Sequence, residues 1–289
     1  MVRRSPTTAW GIARRIEDNY ARQLQILTNT IGHRLRSALT IDDVQRLLMV
    51  IANDPEFNAY CEALATNMAN RVAEASSGNW RRAAMQNASR RGRIIFEGLQ
   101  APLSDAPLGL TVQDIILENS ALIKTIPNEL NAQLASIMAK ESAVSGVRHE
   151  SLTRDILGQF FDGLEDNEYI ARRIARTETG KAHMALTQAR AQSLGLNWYV
   201  WQTAQDGKRV RDAHRHMQGV LVNWNNPPDP EALIGSFNPP GPYHAGCIWN
   251  CRCFAEPIID PDWIDFPRKI FLSGTIQSIT LSGFKKIVA

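Results

Sequence analysis

Residues 171–219, ARRIARTETGKAHMALTQARAQSLGLNWYVWQTAQDGKRVRDAHRHMQG, and residues 244–257, HAGCIWNCRCFAEP, decide how this chain is read. The first stretch opens as a helix. Ala171, Ile174, Ala175, Ala182, Ala185 and Ala189 recur at helical spacing, a narrow stripe of mostly small residues that allows close packing. Glu178 is four residues from both Ile174 and Ala182, so it sits on that stripe and not opposite it. Gly195 ends the helix. Trp198, Tyr199, Val200 and Trp201 are aromatic or β-branched and read as a strand. Asp206-Gly207 signals a tight turn, with a returning strand over residues 209–211. Asp212 caps a short helix bearing His214 and His216, which Gly219 ends. Residues 220–222 form a further strand, and residues 251–254 read as the last, stopped near Pro257.

Upstream the chain reads as helices. Trp10, Ala13, Ile16, Tyr20, Leu24, Leu27 and Ile31 step by three or four, the seam of an amphipathic helix. Thr40 to Asp43 has the form of a capping box ahead of Val44, Leu47, Leu48 and Ile51. Asp54-Pro55 opens a helix that buries Phe57, Cys61, Leu64, Met68 and Val72, which makes Cys61 a core residue. Residues 76–79 read as a break, after which Trp80 starts a helix carrying Arg81, Arg82, Arg90, Arg91 and Arg93. Residues 101–110 are a Pro/Gly-rich linker. Further helices follow at 111–123, after Pro127, and around Phe160. The fold class is α+β, mainly α, with a helical N-terminal region ahead of a module of helices and a small antiparallel sheet. The expected domains are a basic helical one at 1–104, a module at 109–259 and a C-terminal tail at 260–289.

Composition narrows the function classes. Among 289 residues no apolar run approaches the eighteen or so needed to span a bilayer, and no apolar core follows the basic start. Residues 1–104 hold 14 Arg, no Lys and 9 acidic residues, so that part is basic while the remainder is slightly acidic. An arginine-only basic half suits a phosphate or an acidic protein surface as partner; the alternative is a solvated helical surface. Of the four cysteines, Cys61 is isolated and Cys247, Cys251 and Cys253 cluster with His244, which is not a disulfide framework.

The ordered set Ile174-Ala175-Arg176-Thr177-Glu178-Thr179, Tyr199-x-Trp201, Asp206-x-x-Arg209-Val210-Arg211-x-x-His214, Gly219 and Asn250-Cys251-Arg252-Cys253 resembles one family. It is similar to the phage head morphogenesis family of minor head proteins, Mu F-like and SPP1 gene 7-like. Residues 118–127, ENSALIKTIP, fit as well, and the resemblance covers roughly residues 109–259. It implies a minor head protein acting in procapsid assembly, associated with the portal protein, with scaffold or major capsid protein and double-stranded DNA as further partners. It implies a virion location in the head interior near the portal vertex, after assembly in the host cytoplasm.

Three constellations could carry chemistry. Cys251 and Cys253 are two apart, so on a strand both thiols face one side; His214, His244 and Cys247 complete a candidate zinc site. The alternative is a set of buried thiols beside a hydrogen-bonded histidine. Glu178 on its apolar stripe needs a cation, and Arg209 or Arg211 is the expected partner in a structural ion pair. Arg81, Arg82, Arg90, Arg91 and Arg93 form the candidate nucleic-acid surface. No metalloprotease helix motif, phosphate-binding loop, nucleophile elbow or dinucleotide fingerprint occurs, so the expectation is that the chain is not an enzyme. Two alternatives stand beside it: a zinc-dependent nuclease or hydrolase using His214, His216 and the cysteines, and a polymorphic-toxin-associated module. About thirty residues follow the module, fewer than a separate toxin domain needs.

Overall fold

Helical spacing through the first half and the aromatic run at 198 both become elements of the computed structural model, which describes residues 10–11, 14–87, 89–99, 108–145, 153–165, 167–204 and 210–288. In chain order the helices are α1 (Arg14–Leu35), α2 (Ile41–Ala52), α3 (Pro55–Gln86), α4 (Arg90–Gly98), α5 (Leu108–Lys124), α6 (Ile126–Ser145), α7 (Thr153–Glu165) and α8 (Asn167–Ser193). Then come β1 (Trp198–Gln202), α9 (Asp212–Met217), β2 (Leu221–Asn223), α10 (Pro230–Leu233), β3 (Phe254–Pro257), β4 (Arg268–Leu272), β5 (Thr275–Ile279) and α11 (Leu281–Val288). The chain divides into two compact units, one of Met1–Ile16, Ala69–Gln113 and Arg176–Ala289, the other of Glu17–Met68 and Asp114–Ala175.

The second unit is helical. The α1 seam buries Tyr20, Leu24, Leu27 and Ile31 as its spacing requires. α2 is started by the expected capping box: the Thr40 hydroxyl accepts from the Asp43 N–H at 3.1 Å, and the Asp43 carboxylate accepts from the Thr40 N–H at 3.2 Å. α2 packs on α6, and α6 on α7. Tyr20 donates to the Asn119 side-chain oxygen at 3.2 Å, a buried polar contact that satisfies both groups. Cys61 is fully buried here, and burial pushes its thiol up to about 11, so it is an inert core residue.

The first unit is built on β1. The sheet order is β3-β1-β2-β4-β5. β1 runs antiparallel to β2 and β3, and β4 to β5, while β2 and β4 are parallel through Leu221 and Ile270. The expected antiparallel sheet is therefore a mixed one, because β4 and β5 join it from the region read as a tail. Alternation along β1 sends Tyr199 and Trp201 into a cluster with Trp80, Met184 and Trp224. Trp198 and Val200 go into another with Ile258, Ile270 and Phe284. Both faces are covered, which is why residues 198–201 are all aromatic or aliphatic.

Residues 76–79 do not break the chain; α3 runs through them. Ser76, Asn79 and Trp80 are buried there, and the Ser77 hydroxyl bonds the Ala73 carbonyl at 3.0 Å, so packing overrides weak local propensity. α3 instead ends at Gln86, and the Ser89 hydroxyl caps α4 through the Gly92 N–H. Residues 205–209, with the expected Asp206-Gly207 turn and Arg209, lie outside the described residues, and Arg211 is the N-cap of α9 and not a strand residue.

His183 on α8 is buried beside Asn79 at 3.4 Å, and burial lowers its pKa from 6.5 to about 4. Between pH 6.5 and about 4 the unfolded chain binds a proton that the folded one refuses, so stability falls as pH drops through that window. His244 is lowered to about 4 in the same sense. We expect urea midpoints to fall steadily from pH 7 to pH 5, and His183→Gln to flatten part of that slope. Equal midpoints at pH 7 and pH 5 would mean that His183 charges freely in the folded state.

Candidate metal centre

The site is assembled from three pieces: α8, α9 and the turn entering β3. On α9, Ala213, His214 and Met217 face inward, and His216 is exposed. Cys251 and Cys253 precede β3 and are not on it, so strand alternation does not set their direction. The turn itself does, and α8 holds the turn. Asn250, at φ 58, donates its N–H to the Thr177 hydroxyl at 3.1 Å, while Arg176 donates to the Asn250 side-chain oxygen. Two glycines let the backbones meet. A Cβ at Gly180 would stand 2.8 Å from the Gly246 carbonyl oxygen, and a Cβ at Gly246 2.7 Å from that of Cys253. Gly246 also takes a φ of 88°, which side-chain-bearing residues avoid.

At the centre, His214 Nδ1 is 3.5 Å from the Cys251 Sγ and 3.5 Å from the Cys253 Sγ. All three donor atoms lie within 4.8 Å of one another, and all three residues are buried. The far side of the ring sets its tautomer. Tyr243 donates its hydroxyl to Glu231 at 2.6 Å, so its oxygen accepts from His214 Nε2 at 2.8 Å. Burial, and then the hydrogen bond to Glu231, raise the Tyr243 pKa and keep that proton in place. A ring that donates from Nε2 presents Nδ1 to the sulfurs as a lone pair, the usual outer support of a metal-bound histidine. Zinc with Zn–S of about 2.3 Å and Zn–N of about 2.05 Å makes a tetrahedron whose S–N edge is about 3.6 Å. The two observed edges of 3.5 Å match it. A hydrogen bond from Cys253 holds the Cys251 thiol well below its ordinary pKa, against the opposing cost of burial, with the Cys253 N–H adding to it. Negative charge on sulfur beside a ring nitrogen is what a soft cation requires.

Of the other residues singled out in the sequence, some are elsewhere. His244 and Cys247 are outside the metal-compatible group. His244 Nδ1 is 3.1 Å from the Tyr199 hydroxyl and its ring edges onto Tyr199 and Trp224, a core packing role. Burial, with Cys251 adding to it, pushes the Cys247 thiol up to about 12, so it stays protonated. Glu178 is buried on the stripe as expected, and among the described residues its ion-pair partner is Lys181 at 2.9 Å, one turn along the same helix. Arg211 instead donates to the Trp249 carbonyl at 2.8 Å, and Arg209 lies outside the described residues. Arg81, Arg82, Arg90, Arg91 and Arg93 are all at least partly exposed, but on two helices, α3 and α4, and not on one. Tyr243, Glu231 and Asn250 were not foreseen as site residues; they come from a Pro/Gly-rich loop and a turn whose course no periodicity encodes.

The docking of 176–180 against 246–253 joins two of the motifs that carry the resemblance in one contact. Residues 137–256 match the family described as Phage Mu protein F like protein. That stretch is similar to Mu F-like proteins. It supports a role in phage head morphogenesis. The chain is also 30% identical over 163 residues to an uncharacterised protein of Haemophilus influenzae, a match that covers 56% of this chain and 33% of that protein. The chain thus matches about a third of the relative's length. No solved structure matches.

Gly246→Ala should destabilise the domain by about 1–3 kcal/mol, since the new Cβ is both strained and blocked by backbone. Urea unfolding measures this directly; an unchanged midpoint would mean that the turn is not held against α8 as described.

Proposed function

We propose that this chain is a minor head protein of a tailed phage, recruited to the procapsid through the portal protein, and that it binds rather than catalyses. The observation that carries the reading is the Mu F-like stretch built around a buried Cys–His centre. In this reading zinc sits on His214, Cys251 and Cys253 as a staple for the loop between β2 and β3, which has few strand hydrogen bonds of its own. The exposed arginines of α3 and α4 lie against packaged double-stranded DNA, with scaffold or major capsid protein as secondary partners. The virion location is the head interior near the portal vertex. None of the described helices is long and apolar enough to cross a membrane.

Two experiments test this. Procapsids assembled with portal should contain the protein, and portal-less procapsids should lack it; normal copy number without portal would assign recruitment to scaffold or coat. DNA binding should weaken steeply with salt and be independent of sequence. Replacing Arg81, Arg82, Arg90, Arg91 and Arg93 with Gln should lower the log–log salt slope by about 0.9 for every phosphate that the variant no longer neutralises. An unchanged slope would exclude this surface from DNA binding.

A further inference from the structure

The two edges of the sheet, β3 and β5, are finished differently. β3 ends in Pro257, and its residues 255–257 are buried. Natural sheets blunt an open edge with a charge, a proline or a bulge. β5, Thr275-Ile276-Gln277-Ser278-Ile279, has no charge and no proline, and its register with β4 is uninterrupted. Thr275, Gln277 and Ser278 are exposed.

Backbone geometry says which groups this edge leaves open. Ser273 and Gly274, with φ of 49° and 78°, make the tight turn between β4 and β5. Such a turn closes on a hydrogen-bonded pair, here Leu272 and Thr275. Bonded pairs then alternate, so Gln277 bonds Ile270 and Ile279 bonds Arg268. The N–H and C=O groups of Ile276 and Ser278 therefore point away from β4. Among the described residues no backbone bond from another segment reaches them. α11 starts at Leu281 and turns back over the sheet, where the Phe284 ring lies 5.5 Å from that of Trp198.

Open backbone groups on an uncharged strand fit another extended backbone, and this strand matches itself. Laid antiparallel about a two-fold axis at Gln277, Ile276 meets Ser278 of the second copy, and Ser278 meets its Ile276. Those are the residues whose polar groups face outward, so both pairs hydrogen-bond. Thr275 meets Ile279 and Gln277 meets Gln277, with no like charges across the axis. A shift of one residue would set outward-facing groups against inward-facing ones.

We propose that β5 is a self-pairing edge, through which two copies of this chain join antiparallel into one continuous sheet. The contact is the same patch on both copies, so association stops at two. The inference is independent of the metal reading.

Sedimentation equilibrium of the full chain, from micromolar to millimolar concentration, should show monomer and dimer in exchange. Ser278→Pro removes an outward N–H and spares the bonds to β4, so this variant should fold and stay monomeric. Gln277→Lys and Gln277→Glu each set like charges against one another across the axis. Each alone should weaken dimerisation about fivefold, and their equimolar mixture should restore it. Rescue requires this register, because only here does residue 277 face itself. If circular dichroism shows that Ser278→Pro does not fold, the charge pair still decides. A chain that is monomeric throughout, or a dimer indifferent to these substitutions, overturns the inference. A mixture that dimerises no better than its separate components overturns it too. A monomer that co-purifies with portal protein only while Ser278 is intact would give the edge to a strand of that partner, and would overturn self-pairing.

Discussion

The contact that the rest of the sheet-bearing unit depends on is the close approach of two backbones, where Gly180 of α8 meets Gly246 and Gly246 meets Cys253. A methyl group at either position has no room. With both absent, the turn at 246–253 lies directly on the helix, and the Thr177 hydroxyl and the Arg176 guanidinium reach Asn250. This docking aims Cys251 and Cys253 at His214, which α9 brings in from the other side. It also delivers residues 254–257 as β3 to the edge of β1. One packing constraint therefore serves the metal-compatible centre and the sheet together.

The support behind His214 follows the same logic. A histidine between two sulfurs could hold its proton on either nitrogen. The Tyr243–Glu231 pair settles the matter from the far side of the ring, because a tyrosine already donating to a carboxylate has only lone pairs to offer. Both residues come from the loop that the centre would fasten, so the loop orients the ligand that in turn secures it.

Much of this was legible in the residues. Helical spacing at Tyr20, Leu24, Leu27 and Ile31, the box at Thr40–Asp43 and the aromatic run of β1 correspond to local physics and appear as read. Of the five candidate metal ligands read from the sequence, His214, Cys251 and Cys253 are the ones whose donor atoms the structure brings together. What was not legible arises from tertiary contact. The burial of Trp80 and Asn79 carries α3 across a polar Ser-Ser-Gly-Asn stretch that looks like a break. Lys181 takes Glu178 because it is one turn away, while the more suggestive Arg211 is engaged by the Trp249 carbonyl. His244 and Cys247 are close to the cysteines in sequence, yet His244 is spent on Tyr199, and proximity along the chain says nothing of that.

The central claim is that metal at His214, Cys251 and Cys253 fastens the loop and the turn onto α8. Hydrogen exchange followed by mass spectrometry, on the full chain before and after exhaustive chelation, tests it most directly. The account predicts that peptides covering residues 225–256 lose protection when metal is removed, while peptides from α2 and α6 exchange as before. Unchanged protection over 225–256, in protein shown to have given up its metal or to have held none, would contradict it.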